Sequence, residues 1–290
     1  MQQPTPLDQG LRCPVCKLGL SLQQQPGRPA RLECEAGHGF DAAKQGYFNL
    51  LTGKGTNFTE DGAPMVAARA SFLDAGHYES LAEALGHRVR NALRGNEHPR
   101  LLDAGAGTGY YLRQALQALP GTSASSAVAL DISRYAMRRA AKLPDTLALV
   151  WDLWRELPLE DESFDVVLNI FSPHNGAEFS RVLRPGGTAL VVTPLPGHLA
   201  EGAALLGLLG IAADKAAGVV ASMGGRFELR ATEEVKIPLV LDPEAAFELA
   251  MMGPAGHHLN PESLRSRLAD AGSATLVTAA FRIQEFRRIG

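Results

Sequence analysis

From about Pro64 onward the chain alternates stretches of helical period with short apolar runs. Met65–Leu73 and Tyr78–Arg94 place apolar residues three and four apart and predict helices. LLDA (Leu101–Ala104) predicts a strand, Tyr110–Leu119 a helix, AVALD (Ala127–Asp131) a second strand and Ser133–Lys142 another helix. LALVWD (Leu147–Asp152) and FDVVLNIF (Phe164–Phe171) predict a third and a fourth strand. Helix Ala177–Leu183 then leads through a tight turn, RPGG (Arg184–Gly187), into a fifth strand, Thr188–Pro194. Strands alternating with helices predict an α/β fold with a parallel, doubly wound sheet, whose ligands lie at the carboxyl ends of the strands. The alternating patterns of Phe227–Val240 and Ala274–Phe286 predict closing antiparallel strands. The most apolar run, near Ala203–Ala213, is too short to span a bilayer and reads as a buried helix.

The first fifty residues follow a different logic. All three cysteines lie there: Cys13 and Cys16 in CPVC, then Cys34 in CEAGH, with His38 three residues beyond it. Cys-x2-Cys followed by Cys-x3-His supplies four ligands for one tetrahedral ion and fits zinc. An odd cysteine count argues against a closed disulfide set. CPVC as a redox pair is the rival, but no thioredoxin-like βαβ pattern follows it. Four protein ligands close such a site, so its role is expected to be structural. A polar, glycine-rich stretch, TGKGTNFTEDG (Thr52–Gly62), reads as a connector. The chain is therefore divided into a zinc module (1–51), a linker (52–63) and an α/β domain (64–290), which suits its 290 residues.

The formal net charge of −3 is not that of a protein that grips nucleic acid non-specifically, so any such role must rest on a local patch. Two basic clusters exist: Arg88, Arg90, Arg94 and Arg100, then Arg134, Arg138, Arg139 and Lys142. Each also reads as a solvated helix face. The opening MQQPTPLDQG lacks the basic and apolar regions of a secretion signal, so a cytoplasmic location is expected.

The first strand ends in DAGAGTGYYL, with Gly105, Gly107 and Gly109 at alternate positions. A dinucleotide fingerprint would put its third glycine at position 110, which is Tyr110. The Gly-Lys-Ser/Thr of a P-loop is also missing from the turn. Asp103-x-Gly-x-Gly-x-Gly instead fits S-adenosylmethionine, whose amino-acid portion and ribose lie close to backbone without Cβ atoms. Two further acids agree. Asp131 ends the second strand, where a carboxylate can accept ribose hydroxyls. Asp152 ends the third, where an acid can accept from the adenine amino group while Leu153 packs on the ring. The plain alternative is that these aspartates cap helices.

The cysteine and histidine set, FDAAKQGYFNLL (Phe40–Leu51), MVAARASFLDAGHY (Met65–Tyr78), the glycine turn and LNIFSPHN (Leu168–Asn175) together resemble, in the same order, the RlmA family of 23S rRNA (guanine-N1)-methyltransferases. VWDLWRELPL (Val150–Leu159) and LNIFSPHN look like the tylosin-resistance branch, RlmA type II. The resemblance implies a seven-stranded, Rossmann-like class I methyltransferase domain behind a zinc-bound RNA-recognition module. It implies methyl transfer from S-adenosyl-L-methionine to guanosine 748, less favourably 745, in hairpin 35 of the 23S rRNA peptide tunnel, and homodimers. By motif, Cys13, Cys16, Cys34 and His38 match the zinc ligands. Tyr78, Tyr110, Tyr111 and His198 match positions that contact the cofactor. Tyr78 in the core and His198 on a surface loop are the plain readings.

Guanine N1 carries a proton at neutral pH, so its methylation needs proton removal as well as placement on the methyl carbon. The site is expected after the fourth strand, where Asn169 could orient the Watson–Crick edge and Phe171 could stack on the base. His174 is the titratable side chain of that turn, and no general base is named from sequence. A paired guanine hides N1, so the target base must be unpaired or flipped out. A small-molecule methyltransferase on the same fold and a non-catalytic zinc/RNA-binding protein are the rivals. The zinc module opposes the first, and the intact Asp103, Gly105, Gly107, Asp131 and Asp152 oppose the second.

Overall fold

The computed structural model describes residues 10–24, 27–53, 55–121, 124–208, 215–272 and 274–290. The first nine residues and the 209–213 end of the apolar run near Ala203–Ala213 lie outside the described residues. Strands β1 (Leu20–Gln23), β2 (Arg31–Cys34) and β3 (Gly39–Asp41) form a small antiparallel sheet. A two-residue strand, β4 (Phe48–Asn49), and helices α1 (Ala63–Asp74) and α2 (Glu79–Ala92) follow. Then come β5 (Arg100–Ala104), α3 (Tyr110–Gln117), β6 (Ser126–Asp131), α4 (Arg134–Ala140), β7 (Thr146–Val150), β8 (Phe164–Ile170), α5 (Gly176–Val182) and β9 (Leu183–Pro194). Short α6 (Ala203–Leu206), α7 (Lys215–Met223), β10 (Phe227–Leu241), α8 (Pro243–Met252), α9 (Pro261–Ala271) and β11 (Thr275–Arg288) complete the chain.

The large sheet has the order β10-β11-β9-β8-β5-β6-β7-β4. From β9 to β4 the pairings are parallel, and β11 joins β9, and β10 joins β11, antiparallel. The central strands are buried on both faces, as β5 is at all five positions, which is why they read as continuous apolar runs rather than alternating ones. The order reverses at β5 and β8, so the loops after these two strands open a crevice at their carboxyl ends.

Two details differ from the sequence reading. RPGG is not a turn before the strand. Strand β9 starts at Leu183 and carries these residues as a bulge, since the register jumps from Phe164 opposite Leu183 to Val166 opposite Thr188. The eighth strand of the sheet is β4, from inside the stretch assigned to the zinc module, and it pairs parallel with β7. Leu11, Leu32, Phe48 and Leu50 share one apolar cluster with Leu102, Val128, Leu149 and Phe164. A small module with little core of its own is thereby supported by one face of the large sheet.

Candidate functional site

The four residues of the metal motif meet. The Sγ atoms of Cys16 and Cys34 are 3.6 Å apart, Cys34 Sγ and His38 Nδ1 are 3.5 Å apart, and all four ligand atoms lie within 4.8 Å of one another. A tetrahedron of about 2.3 Å bonds has edges of about 3.8 Å, so the set fits zinc. Both knuckles come from local turns. Lys17 N–H donates to the Cys13 carbonyl at 2.9 Å, and Gly37, at φ +80°, donates to the Cys34 carbonyl at 2.9 Å. Cys13 and Cys34 are buried and none of the three thiols is bridged. Cys34→Ser is expected to cost this site its zinc and to lower RNA affinity more than cofactor affinity. Metal content per chain checks this, and full zinc occupancy in the variant would remove Cys34 from the ligand set.

The glycine turn lies between β5 and α3. Gly105 has φ +89°, and a Cβ there would lie 2.2 Å from the Ser172 Cβ. The bare backbone is thus demanded from inside the protein, because the loop after β8 presses against it. Asp103 is buried at the end of β5, and its Oδ1 has no partner among the described residues. Burial, and then the charge of Asp131, push its carboxyl up to about 8. An orphaned, buried carboxyl at this turn suits the ammonium of an amino-acid ligand. Asp131 accepts from Gly107 N–H and Ser133 N–H, each at 2.8 Å, so it braces the turn. The cap of α4 is Ser133, not Asp131. Asp152 accepts from Trp154 N–H at 3.0 Å and from the Thr56 hydroxyl at 2.8 Å, and no helix starts there. Leu153 is buried beside Gly105, its Cδ1 3.6 Å from the built Cβ. A cleft of about 220 Å³ is lined by Leu51, Thr56, Phe58, Glu60, Ile132 and Val150, among others. Ile132 follows Asp131 in the chain and Val150 precedes Asp152 by two residues, so this mixed apolar and polar cleft adjoins both acids and suits an adenosine.

An aromatic wall continues from the turn. The rings of Tyr110 and Tyr111 are 5.1 Å apart, and Tyr111 and Phe171 are 6.2 Å apart. Phe281 of β11 lies 5.1 Å from Phe171, 4.9 Å from Tyr78 and 4.8 Å from His198. The hydroxyls of Tyr78 and Tyr111 are buried without a partner among the described residues, so both phenols, like Asp103, leave a polar atom for a ligand or water to satisfy. His198 Nδ1 accepts from Ala280 N–H at 3.0 Å, which puts the proton of the neutral ring on Nε2. Burial depresses its pKa to about 4, so His198 is a neutral donor at physiological pH.

The loop after β8 corrects one expectation. Asn169 is fully buried and turned inward. Its Nδ2 donates to the Ala104 carbonyl at 2.9 Å and the Pro173 carbonyl at 3.0 Å, and its Oδ1 faces His174 Nδ1 at 2.6 Å. Asn169 therefore builds the loop and does not read a base edge. A carbonyl oxygen only accepts, so His174 Nδ1 donates and the neutral ring keeps its lone pair on Nε2. Phe171 is 43 % exposed and holds φ +56°, a left-handed conformation that strains a non-glycine residue.

Sequence reasoning missed three contributors. The connector is no free linker. Thr56 binds Asp152, Glu60 forms a two-pronged ion pair with Arg134 at 2.7 and 3.0 Å, and Asp61 pairs with Arg69 at 2.5 Å. It is a strap across the carboxyl ends of β6 and β7. Arg69 lies beside the glycine turn, its Nη1 3.5 Å from a Cβ built on Gly107. The signal was present, since Arg69 is the one charged residue in the apolar helical stretch Met65–Leu73. Phe281 gave no local signal, for it reaches the site only through β11 pairing with β9.

Comparison with known proteins follows the same division. Residues 11–54 match the family described as RlmA, N-terminal, and residues 101–187 match a methyltransferase domain. A 23S rRNA (guanine(748)-N(1))-methyltransferase of Streptomyces fradiae is 40% identical over 261 residues, 90% of each chain. A Micromonospora griseorubida protein taken to be a 23S rRNA (guanine-N(1)-)-methyltransferase is 42% identical over 293 residues, 96% of this chain and 97% of its own. A solved Bacillus halodurans structure, taken to be a methyltransferase, superimposes with TM-score 0.51 at 13% identity, over 71% of this chain and 99% of that one. It shares the fold.

Proposed function

We propose that this chain, which belongs to the RlmA family of 23S rRNA (guanine-N1)-methyltransferases, methylates guanosine 748 in the tunnel hairpin rather than its neighbour at 745. The observation that carries a base-accepting site is Phe171, an exposed aromatic held in a strained conformation at the crevice mouth. Strain of this kind persists where surrounding structure imposes it, typically at functional sites. The preference for 748 is supported by a relative named for that position that matches 90% of the chain. Tylosin resistance would follow from a methyl group placed in the tunnel wall.

S-adenosylmethionine supplies the methyl group when bound. Asp103 receives the ammonium, Asp131 the ribose hydroxyls and Asp152 the adenine amino group, with Leu153, Tyr110 and Tyr111 enclosing the ligand. Tyr78 and His198 offer donors from the far side of Phe281. The flipped guanine stacks on Phe171. Transfer also requires loss of the guanine N1 proton. The zinc module and the strap form the RNA-facing side, within the cytoplasm and as a homodimer.

Purified protein incubated with labelled S-adenosylmethionine and unmethylated 23S rRNA tests the whole reading. Digestion should release labelled 1-methylguanosine, and a reverse-transcription stop should map it to position 748. Label in a small quinone-type acceptor but none in RNA would replace this reading with the small-molecule one.

A further inference from the structure

The two basic clusters do not have the same fate in the folded chain. In the first, Arg88 is divided between Glu233 at 2.6 Å and Glu285 at 2.9 Å. Arg90 donates to the Ala118 carbonyl at 2.7 Å, and Arg100 is buried over the Phe164 ring. Those three charges are engaged within the protein, while Arg94 of the same cluster is exposed. In the second, Arg134 is held by Glu60. Arg138, Arg139 and Lys142 have no carboxylate partner among the described residues.

These three cations share one cleft of about 370 Å³ with Gln45 and Tyr135, floored by Ala63 and Val66 at the start of α1. Among the described residues no acidic one lines it. The Arg138 guanidinium lies over the Tyr135 ring, 5.0 Å from its centroid. Arg138 and Lys142 are four apart, a spacing at which like charges repel. The helix carboxyl end accounts for a cation there. It does not account for three of them turned into one cavity without a counter-charge. The cleft also has a telling position. Gln45 belongs to the turn between β3 and β4, at the trailing end of the zinc module. Helix α4 starts three residues after Asp131 of the crevice.

We propose that this cleft is a phosphate-binding track for the substrate RNA, gripping the backbone between the zinc module and the methyl-transfer site. The inference rests on the RNA-methylating reading above and deepens it. Cations without carboxylate partners receive the phosphodiester oxygens, and the Arg138–Tyr135 pair presents a flat, charged face to the sugar–base side of the strand. It also explains how a chain of net charge −3 holds a polyanion: its excess of positive charge is local.

The test is equilibrium binding of a transcript of the 23S tunnel hairpin over a series of salt concentrations. The triple variant Arg138→Ala/Arg139→Ala/Lys142→Ala should bind about 10- to 100-fold more weakly than the parent at low salt. Its plot of log affinity against log salt should be flatter by about 2–3, the share of three phosphate contacts. S-adenosylhomocysteine affinity and thermal stability should not change, since the three side chains lie outside the crevice. Arg138→Lys/Arg139→Lys should keep the parental salt slope, and Arg88→Ala should leave RNA affinity intact. Parental affinity and slope in the triple variant would overturn the track while leaving the RNA reading in place. A parent protein that fails to bind the hairpin would overturn both.

Discussion

Phe171→Gly is expected to leave the protein about as stable as the parent while reducing kcat/KM on RNA by about 5- to 150-fold. The backbone at Phe171 has φ +56°, a conformation that costs a non-glycine residue about 1–3 kcal/mol and glycine nothing. That relief is opposed by the loss of a half-exposed ring, about 1–1.5 kcal/mol of burial, and by glycine's greater freedom in the unfolded chain, about 0.5–1 kcal/mol. These terms nearly cancel. Stacking of a base on an aromatic ring contributes about 1–3 kcal/mol, which sets the expected loss of activity. Phe171→Ala removes the ring but keeps the strain, so it should be less stable than the glycine variant by about 1 kcal/mol. Phe171→Tyr keeps a stacking surface and should stay active. Melting temperatures and single-turnover rates decide the matter. Full activity in a folded glycine variant would remove Phe171 from base recognition.

Asp103 should make cofactor affinity depend on pH. With its carboxyl at about 8, it is mostly protonated at neutral pH in the ligand-free protein. An ammonium ligand needs the carboxylate, so binding must expel the proton. Affinity for S-adenosylhomocysteine is expected to rise about tenfold per pH unit from pH 6 to nearly 8 and then level off. 5′-Methylthioadenosine, which lacks the amino-acid portion, should show no such dependence. Asp103→Asn should bind S-adenosylhomocysteine weakly with a flat pH profile. Stability carries the same signature with a definite sign. The folded pKa lies above the ordinary 3.8, so the contribution of the neutral carboxyl is complete below about pH 4 and is lost as pH rises toward 8. The ligand-free Asp103→Asn protein should therefore gain in melting temperature over the parent progressively across that range. A constant difference would mean that Asp103 has an ordinary carboxylate pKa, whereas parental S-adenosylhomocysteine affinity in Asp103→Asn would overturn the ammonium assignment.

What the sequence determined by itself was written in short-range features. Cysteine and histidine spacing specifies two tight turns, so the zinc set was legible before any fold was known. Glycines at alternate positions after an apolar run, and aspartates closing the next two runs, are legible because a parallel strand brings its last residue to the crevice whatever its neighbours are. Every predicted strand and helix of the α/β core is present within a few residues. The helical period and the buried runs arise from one-dimensional patterning.

The tertiary structure alone decided what depends on distant pairings. Asn169 looked like a base-reading amide because side-chain direction is not encoded by type, and the Ala104 carbonyl, 65 positions away, turned it inward. The two arginine clusters were equivalent as sequence. Glu233 and Glu285, which lie 145 and 197 residues beyond Arg88, neutralised that arginine of the first cluster, whereas Arg138, Arg139 and Lys142 of the second have no carboxylate partner among the described residues. The connector read as free because glycine and polar residues predict a loop, yet Asp152 and Arg69 anchor it across the crevice. Phe281 reaches the aromatic wall only because β11 inserts between β10 and β9. Local chemistry fixes which groups a segment can offer. The fold fixes which of them remain free to meet a ligand, because each buried polar or charged group must first be satisfied by whatever the chain brings beside it.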